Sequence, residues 1–166
     1  TPVRIAARPR LCFLSYRQIR EFALPVVAEY AQRADIEVVD GTFGGALAIA
    51  QVGKGLVGRV RPPESDAAPP YETSFSFPSG HTIEAFVIAT MLTYLLVRHL
   101  WDRSRWLHVL IGMVAFVYAA AMGFSRVFLG YHWLTDVAAA AALGMAWAGV
   151  LIAAHRVWRA VRQRRE

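Results

Sequence analysis

Three short stretches carry polar chemistry in an otherwise apolar chain. The last of them, residues 125 to 136, reads SRVFLGYHWLTD. His132 and Asp136 lie four residues apart at the start of an apolar run, a spacing that stacks them on one helix face. A carboxylate bonded to one imidazole nitrogen fixes the tautomer and leaves the other nitrogen as a nucleophile or base. Gly130 permits a sharp bend that swings Arg126 toward the same point, and Ser125 adds a donor. The middle stretch, FPSGHT at 77 to 82, reads as a turn into a helix N-terminus, where free backbone N–H groups favour an anion. Gly80 lets a ligand approach the main chain, Ser79 offers a hydroxyl, and His81 is placed to protonate a leaving oxygen. Lys54 and Arg61 come first in the chain. Seven residues is close to two helical turns, so the spacing predicts that both point from one helix face, with Pro62 and Pro63 ending the helix. Two cations in register can clamp a phosphate. Arg59 falls on another face and reads as an interfacial anchor.

Each stretch also has a plainer explanation. The cations fit side chains that snorkel to an interface. Ser79 fits an ordinary helix cap. Asp136 fits a cap beside an interfacial His132, with Tyr131 and Trp133 in an aromatic belt. The elements that carry the stretches must decide. Of 166 residues, 56% are hydrophobic, above the roughly 45–50% of soluble domains. The net charge of +6 rests on 18 basic residues, of which Lys54 is the one lysine. They fall in patches between apolar runs instead of along a soluble face, which suits a membrane protein and not a nucleic-acid binder. Cys12 is the one cysteine, so no intramolecular disulfide supports the fold.

Three runs are long enough to cross a bilayer, which takes about 20 apolar residues: Thr82 to Leu100, Trp106 to Phe124 and Trp133 to Ala154. A fourth, Gly41 to Gly58, is shorter and glycine-rich; Gly41 with Gly45 and Gly44 with Gly53 leave smooth faces for a helix buried inside a bundle. The chain thus divides into an N-terminal segment (1–40), a transmembrane core (41–155) and a basic tail (156–166). In the N-terminal segment Ile19, Phe22, Ala23, Val26, Val27 and Tyr30 recur at helical spacing, and Pro25 interrupts them. Arginine patches in that segment, in the link at Arg98, Arg103 and Arg105, and in the tail all fall on one side of four spans, the cytoplasmic side. Lys54, Arg61, His81, Arg126, His132 and Asp136 then gather at the outer face with the acidic loop Pro63 to Phe77. His99, His108 and His155 fall at the other end and read as packing or interfacial residues.

Taken together, Lys54-(six residues)-Arg61-Pro62, Pro78-Ser79-Gly80-His81 and Ser125-Arg126-(five residues)-His132-(three residues)-Asp136 resemble the three-part signature of the type 2 phosphatidic acid phosphatase superfamily. That superfamily joins membrane lipid phosphatases with soluble vanadium haloperoxidases. The match covers residues 54 to 136 in the right order and spacing. It implies an all-α integral membrane bundle in which the four spans here correspond to the last four of a six-helix core. The first two are then either absent from this chain or replaced by its divergent N-terminal segment.

The resemblance also implies roles. His132 attacks phosphorus to form a phosphohistidine and Asp136 holds its ring. His81 acts as general acid and then helps activate water. Lys54, Arg61, Arg126, Ser79 and the Gly80 N–H hold the phosphoryl oxygens. No cofactor and no metal are implied, and the outer face lacks a carboxylate cluster suited to magnesium. The expectation is a lipid phosphatase of the bacterial inner membrane, its site on the extracytoplasmic face, acting on undecaprenyl diphosphate, phosphatidylglycerol phosphate or phosphatidic acid. A vanadate-dependent haloperoxidase needs the same anion cradle on a soluble protein, and the apolar runs speak against it. A catalytically inactive lipid-binding protein needs the cations but not His132 paired with Asp136. Phosphoryl transfer from lipid to lipid fits the same residues.

Overall fold

The computed structural model describes residues 36–164, and among these the regular structure is helical throughout. Helix α1 spans Ile36–Val57, α2 Gly80–His99, α3 Arg105–Phe128 and α4 Leu134–Gln163; a single 3-10 turn, Glu64–Asp66, lies in the long connection between α1 and α2. The amphipathic pattern expected over Ile19 to Tyr30 lies outside the described residues.

Three of the four helices, α2, α3 and α4, are long and apolar enough to cross a membrane. The fourth expected span does form a helix, α1 with 22 residues, but its glycines, acidic residues and Lys54 keep it below that standard. In α3 only 11% of the apolar stretch is buried within the protein. Val109, Leu110, Met113, Val114, Phe116 and Val117 all face outward. Such a surface is stable only in lipid or against other helices, so the chain is an integral membrane protein.

Small residues set how closely the helices approach. One cluster joins α1, α2 and α4 through Ala46, Ala50, Ile83, Val87, Met91, Ala140 and Ala148; a second joins α2 to α3 through Ala85, Phe86, Ala89 and Ala119. A Cβ on Gly144 would stand 2.8 Å from the Ile83 carbonyl oxygen, and one on Gly123 2.8 Å from Val137 Cγ1. In α1, Gly45 lies under the Trp147 ring and Gly53 against Pro78, whereas Gly44 meets open space. The smooth face of α1 is therefore built from Gly41, Gly45 and Gly53 without Gly44, and Leu47, Val52 and Leu56 on the same helix are exposed instead of buried in the bundle.

The helix ends sort the charges. The end of α1, the start of α2, the end of α3 and the start of α4 share one end of the bundle, because Ala50 packs near Gly80, Arg61 reaches Tyr131, and Arg59 reaches Asp136. Arg98, Arg156 and Arg159 line one shallow cavity at the other end. There Tyr94 Oη and the buried His155 Nδ1 are 2.9 Å apart, and His108 Nε2 lies 2.8 Å from the Leu100 carbonyl oxygen, so both histidines serve packing. Arg156 and Arg159 ride on α4 itself, which continues to Gln163.

Candidate active site

The cationic arm is built differently from the helical face expected for it. Helix α1 stops at Val57; Gly58, at φ +60°, turns the chain out and its N–H caps the Lys54 carbonyl at 3.1 Å. Arg61 thus lies on a non-helical strap, not two turns along a helix from Lys54. The two cations nevertheless converge. Lys54 Nζ donates to Ser74 Oγ at 2.8 Å and Arg61 Nη2 donates to the same oxygen at 3.1 Å. Arg61 also donates to the Ser74 carbonyl (2.7 Å), the Tyr131 carbonyl (2.7 Å) and Glu72 Oε2 (2.5 Å). A hydroxyl and a carboxylate of the α1–α2 connection therefore satisfy donors that match a phosphoryl group in shape and charge.

The strap is fastened to the start of α4 at three successive residues. Arg59 Nη1 donates to Thr135 Oγ1 (2.6 Å) and Asp136 Oδ1 (2.8 Å), with its guanidinium 5.5 Å from the Trp133 ring. The Val60 carbonyl accepts from Trp133 Nε1 at 3.0 Å, and Arg61 reaches the Tyr131 carbonyl. Arg59 is thus no interfacial anchor: it forms the ion pair of Asp136. Helical-face reasoning missed it because the helix had already ended.

At the turn between α3 and α4, Gly130 adopts φ +72°. That conformation suits glycine, and a Cβ there would also collide with the Asp66 carbonyl oxygen. The turn lets the Tyr131 and His132 amides bond back to the Arg126 carbonyl at 3.0 and 3.3 Å, which presents His132 at the mouth of the bundle. His132 is 4% exposed and Asp136 0%. Asp136 accepts from the Trp133 amide at 3.0 Å, so it does cap α4, and it also binds Arg59 and the Ser76 hydroxyl. Its Oδ2 stands 3.8 Å from His132 Nδ1, beyond a direct hydrogen bond.

The tautomer of His132 follows from its other neighbour. Nε2 lies 3.4 Å from Arg61 Nη1, and a guanidinium can only donate. Nε2 therefore presents its lone pair to the cations and Nδ1 carries the hydrogen. Burial first, then the Arg61 charge, push the His132 pKa down to about 4, against the raising effects of the Ser76 main chain, Asp136 and Glu72. The ring is neutral and its free lone pair faces a cationic cradle.

The start of α2 completes the arrangement. Ser79 occupies the N-cap position, yet its hydroxyl makes no cap bond; it accepts instead from Thr82 Oγ1 at 2.9 Å. Its own hydrogen remains available to donate. His81, in the first turn, lies within electrostatic reach of Arg126, Glu72, Lys54 and Arg61. Arg126 is buried at the end of α3, with its guanidinium 5.8 Å from the Tyr131 ring. The structure thus gathers Lys54, Arg61, Ser79, Gly80, His81, Arg126, His132 and Asp136 at one end of the bundle. It adds Arg59, Glu72, Ser74 and Ser76. Among the described residues no three His, Cys, Asp or Glu side chains cluster so as to hold a metal ion.

Known proteins resemble this chain in sequence and fold. The chain is 40% identical over 104 residues to phosphatidylglycerophosphatase B of Bacillus subtilis (strain 168), covering 62% of this chain and 49% of that one. It is 34% identical over 112 residues to a lipid A 1-phosphatase of Porphyromonas gingivalis, covering 65% and 21% respectively. The chain therefore spans half or less of the curated relatives it matches. Among solved structures, a transmembrane PAP2-type phosphatidylglycerolphosphate phosphatase from Bacillus subtilis superposes with a TM-score of 0.69 at 32% identity, over 80% of this chain and 68% of that one. Aquifex aeolicus LpxE shares the fold, with a TM-score of 0.57 at 22% identity over 80% and 76%. The model of the PAP2 superfamily matches residues 41–160, most of the chain and all of the gathered residues, and the protein belongs to that superfamily.

Proposed function

We propose that this protein is a metal-independent lipid phosphatase that removes a terminal phosphate from a membrane lipid through a phosphohistidine on His132. The observation that carries the reading is the neutral, buried His132, whose Nε2 lone pair faces Arg61. The substrate phosphate displaces Glu72 and Ser74 from Arg61 and Lys54, and Ser79 with the Gly80 N–H takes further oxygens. Nε2 attacks phosphorus, the bond from phosphorus to the lipid oxygen breaks, and protonated His81 gives its proton to that oxygen. The phosphorylated ring is cationic, and the Asp136 carboxylate offsets its charge. Neutral His81 then takes a proton from water as the water oxygen attacks phosphorus; the bond to Nε2 breaks and phosphate leaves.

Phosphatidylglycerol phosphate, phosphatidic acid and undecaprenyl diphosphate all present such a terminal phosphate. The phosphatidylglycerophosphatase relatives favour the first. The exposed apolar faces of α1 and α3 support entry of the lipid sideways, tails remaining in the bilayer. The arginine patches at the far end support an inner-membrane location with the site on the extracytoplasmic side.

The experiment is phosphate release from liposomes holding the purified protein and each lipid in turn, with chelator. Release from at least one lipid is expected, with its loss in His132→Ala and an acid-labile, alkali-stable phosphoryl adduct on the wild type. Full activity in His132→Ala, or a requirement for added magnesium, would overturn the mechanism. A cysteine at Glu64, in a Cys12→Ser background, tests the facing. Labelling by an impermeant thiol reagent on whole cells is expected, and labelling only after lysis would reverse the orientation.

A further inference from the structure

Among the described residues Asp136 has three donors, and His132 is not one of them. Arg59 Nη1 takes Oδ1 at 2.8 Å, while the Trp133 amide, at 3.0 Å, and the Ser76 hydroxyl share Oδ2. On its other side, Ser76 Oγ lies 3.5 Å from His132 Nδ1, nearer than the carboxylate at 3.8 Å. Ser76 and Asp136 are both fully buried, so no bulk water mediates between them. A hydroxyl has one hydrogen to give and lone pairs to receive. With its hydrogen committed to Asp136, Ser76 Oγ meets Nδ1 as an acceptor, which favours the Nδ1–H tautomer already required by Arg61 at Nε2. The main chain holds Ser76 in place: its N–H donates to the Arg59 carbonyl at 2.8 Å. Arg59 and Ser76 are thus paired to each other and grip opposite oxygens of one carboxylate.

We propose that Ser76 is a positioning residue: its hydroxyl, held between Asp136 and Nδ1 of His132, transmits the carboxylate's hold on the imidazole, while Arg59 locks the far oxygen. The proposal rests on the reading of His132 as nucleophile. No proton is transferred along the bridge. When Nε2 bonds phosphorus the ring becomes cationic, Nδ1–H becomes a stronger donor, and the loose contact with Ser76 Oγ tightens. The Ser76 hydrogen stays on its oxygen, pointed at Asp136. The charged groups around the ring are Arg61 and Glu72 from the α1–α2 connection and Asp136 from α4; His81 of α2 and Arg126 of α3 lie across the cradle. Ser76 was silent in the sequence because its partners lie 56 and 60 residues away, although a lone serine between two phenylalanines is a visible oddity.

The test uses Ser76→Ala in the reconstituted full chain. A fall in kcat of about 10- to 100-fold is expected, with KM within about twofold, as for groups that orient a reacting side chain. Ring nitrogen spectra of histidine-labelled protein supply the second readout. Without the intervening hydroxyl, Asp136 Oδ2 is free to pair with Nδ1 directly, so the His132 inflection moves up from about 4. Should Ser76→Ala fail to fold, Ser76→Cys keeps the volume with a weaker donor and is expected to shift both readouts the same way. An unchanged kcat, or a lowered kcat with the His132 titration unmoved, overturns the proposal. Either result leaves the nucleophile assignment standing, since that is judged on His132→Ala alone.

Discussion

Arg61 Nη1 points at His132 Nε2 from 3.4 Å, and burial of the ring, with this cation beside it, keeps His132 neutral far into acid. The acid limb of phosphohistidine formation is therefore expected near pH 4, not near the ordinary histidine value of about 6.5. Single-turnover adduct formation with a substrate whose phosphate ionisation is fixed reads it directly. The sign for stability runs the same way. The unfolded chain takes up a proton below about 6.5 and the folded one does not until about 4. Stability is full above 6.5 and is lost as pH falls toward 4, on the order of 3 kcal/mol from this group. Denaturation of wild type and His132→Gln across that range should show the loss in the first and not in the second.

In the proposed mechanism His81 protonates the departing lipid oxygen, so its importance depends on how badly that oxygen needs a proton. In His81→Asn, hydrolysis of an alkyl phosphate lipid should fall by about 10²–10⁴-fold. An aryl phosphate with an acidic phenol leaving group should lose far less. Equal losses on both substrates would remove the general-acid role.

Glu72 holds Arg61 at 2.5 Å, where the proposed mechanism puts a substrate oxygen. Removing its charge leaves the anion with one competitor fewer. Because the Glu72 side chain is 40% exposed, the gain is modest: orthovanadate should inhibit Glu72→Gln about two- to fivefold more tightly, and the difference should shrink with salt. Weaker inhibition in the variant would mean that Glu72 helps to hold the anion.

Gly130 combines a left-handed backbone with the close approach of the Asp66 carbonyl. Gly130→Ala is expected to cost about 1–3 kcal/mol in thermal stability and to lower kcat, because the same turn presents His132. Gly44→Ala, which meets open space, is the matched control and should be neutral or slightly stabilising.

The helices and the residues gathered at one end of the bundle were legible because each rests on a local rule. Apolar runs of sufficient length gave α2, α3 and α4. The spacing of His132 and Asp136, and the turn into α2 at Ser79, placed those residues before any contact was known. Lys54 and Arg61 converge as expected but for another reason: the helix ends at Val57, and Ser74 draws both cations together. What stayed hidden was the support. Arg59 finds Asp136 77 residues along the chain, and Ser76 finds it 60 residues along, through a non-helical strap whose path no periodicity encodes.

The tie between the long connection and the α3–α4 turn reaches further than the stability of one glycine. Asp66 packs on Gly130, and the Ala68 amide donates to the Leu129 carbonyl at 3.0 Å, two and three residues from His132. The segment that holds Glu72 and Ser74 is thereby riveted to the turn that presents His132. Exchanging this loop wholesale between relatives would disturb the catalytic turn along with headgroup preference. New specificities in this scaffold are more accessible by changing side chains on a loop of fixed length than by grafting a longer or shorter one.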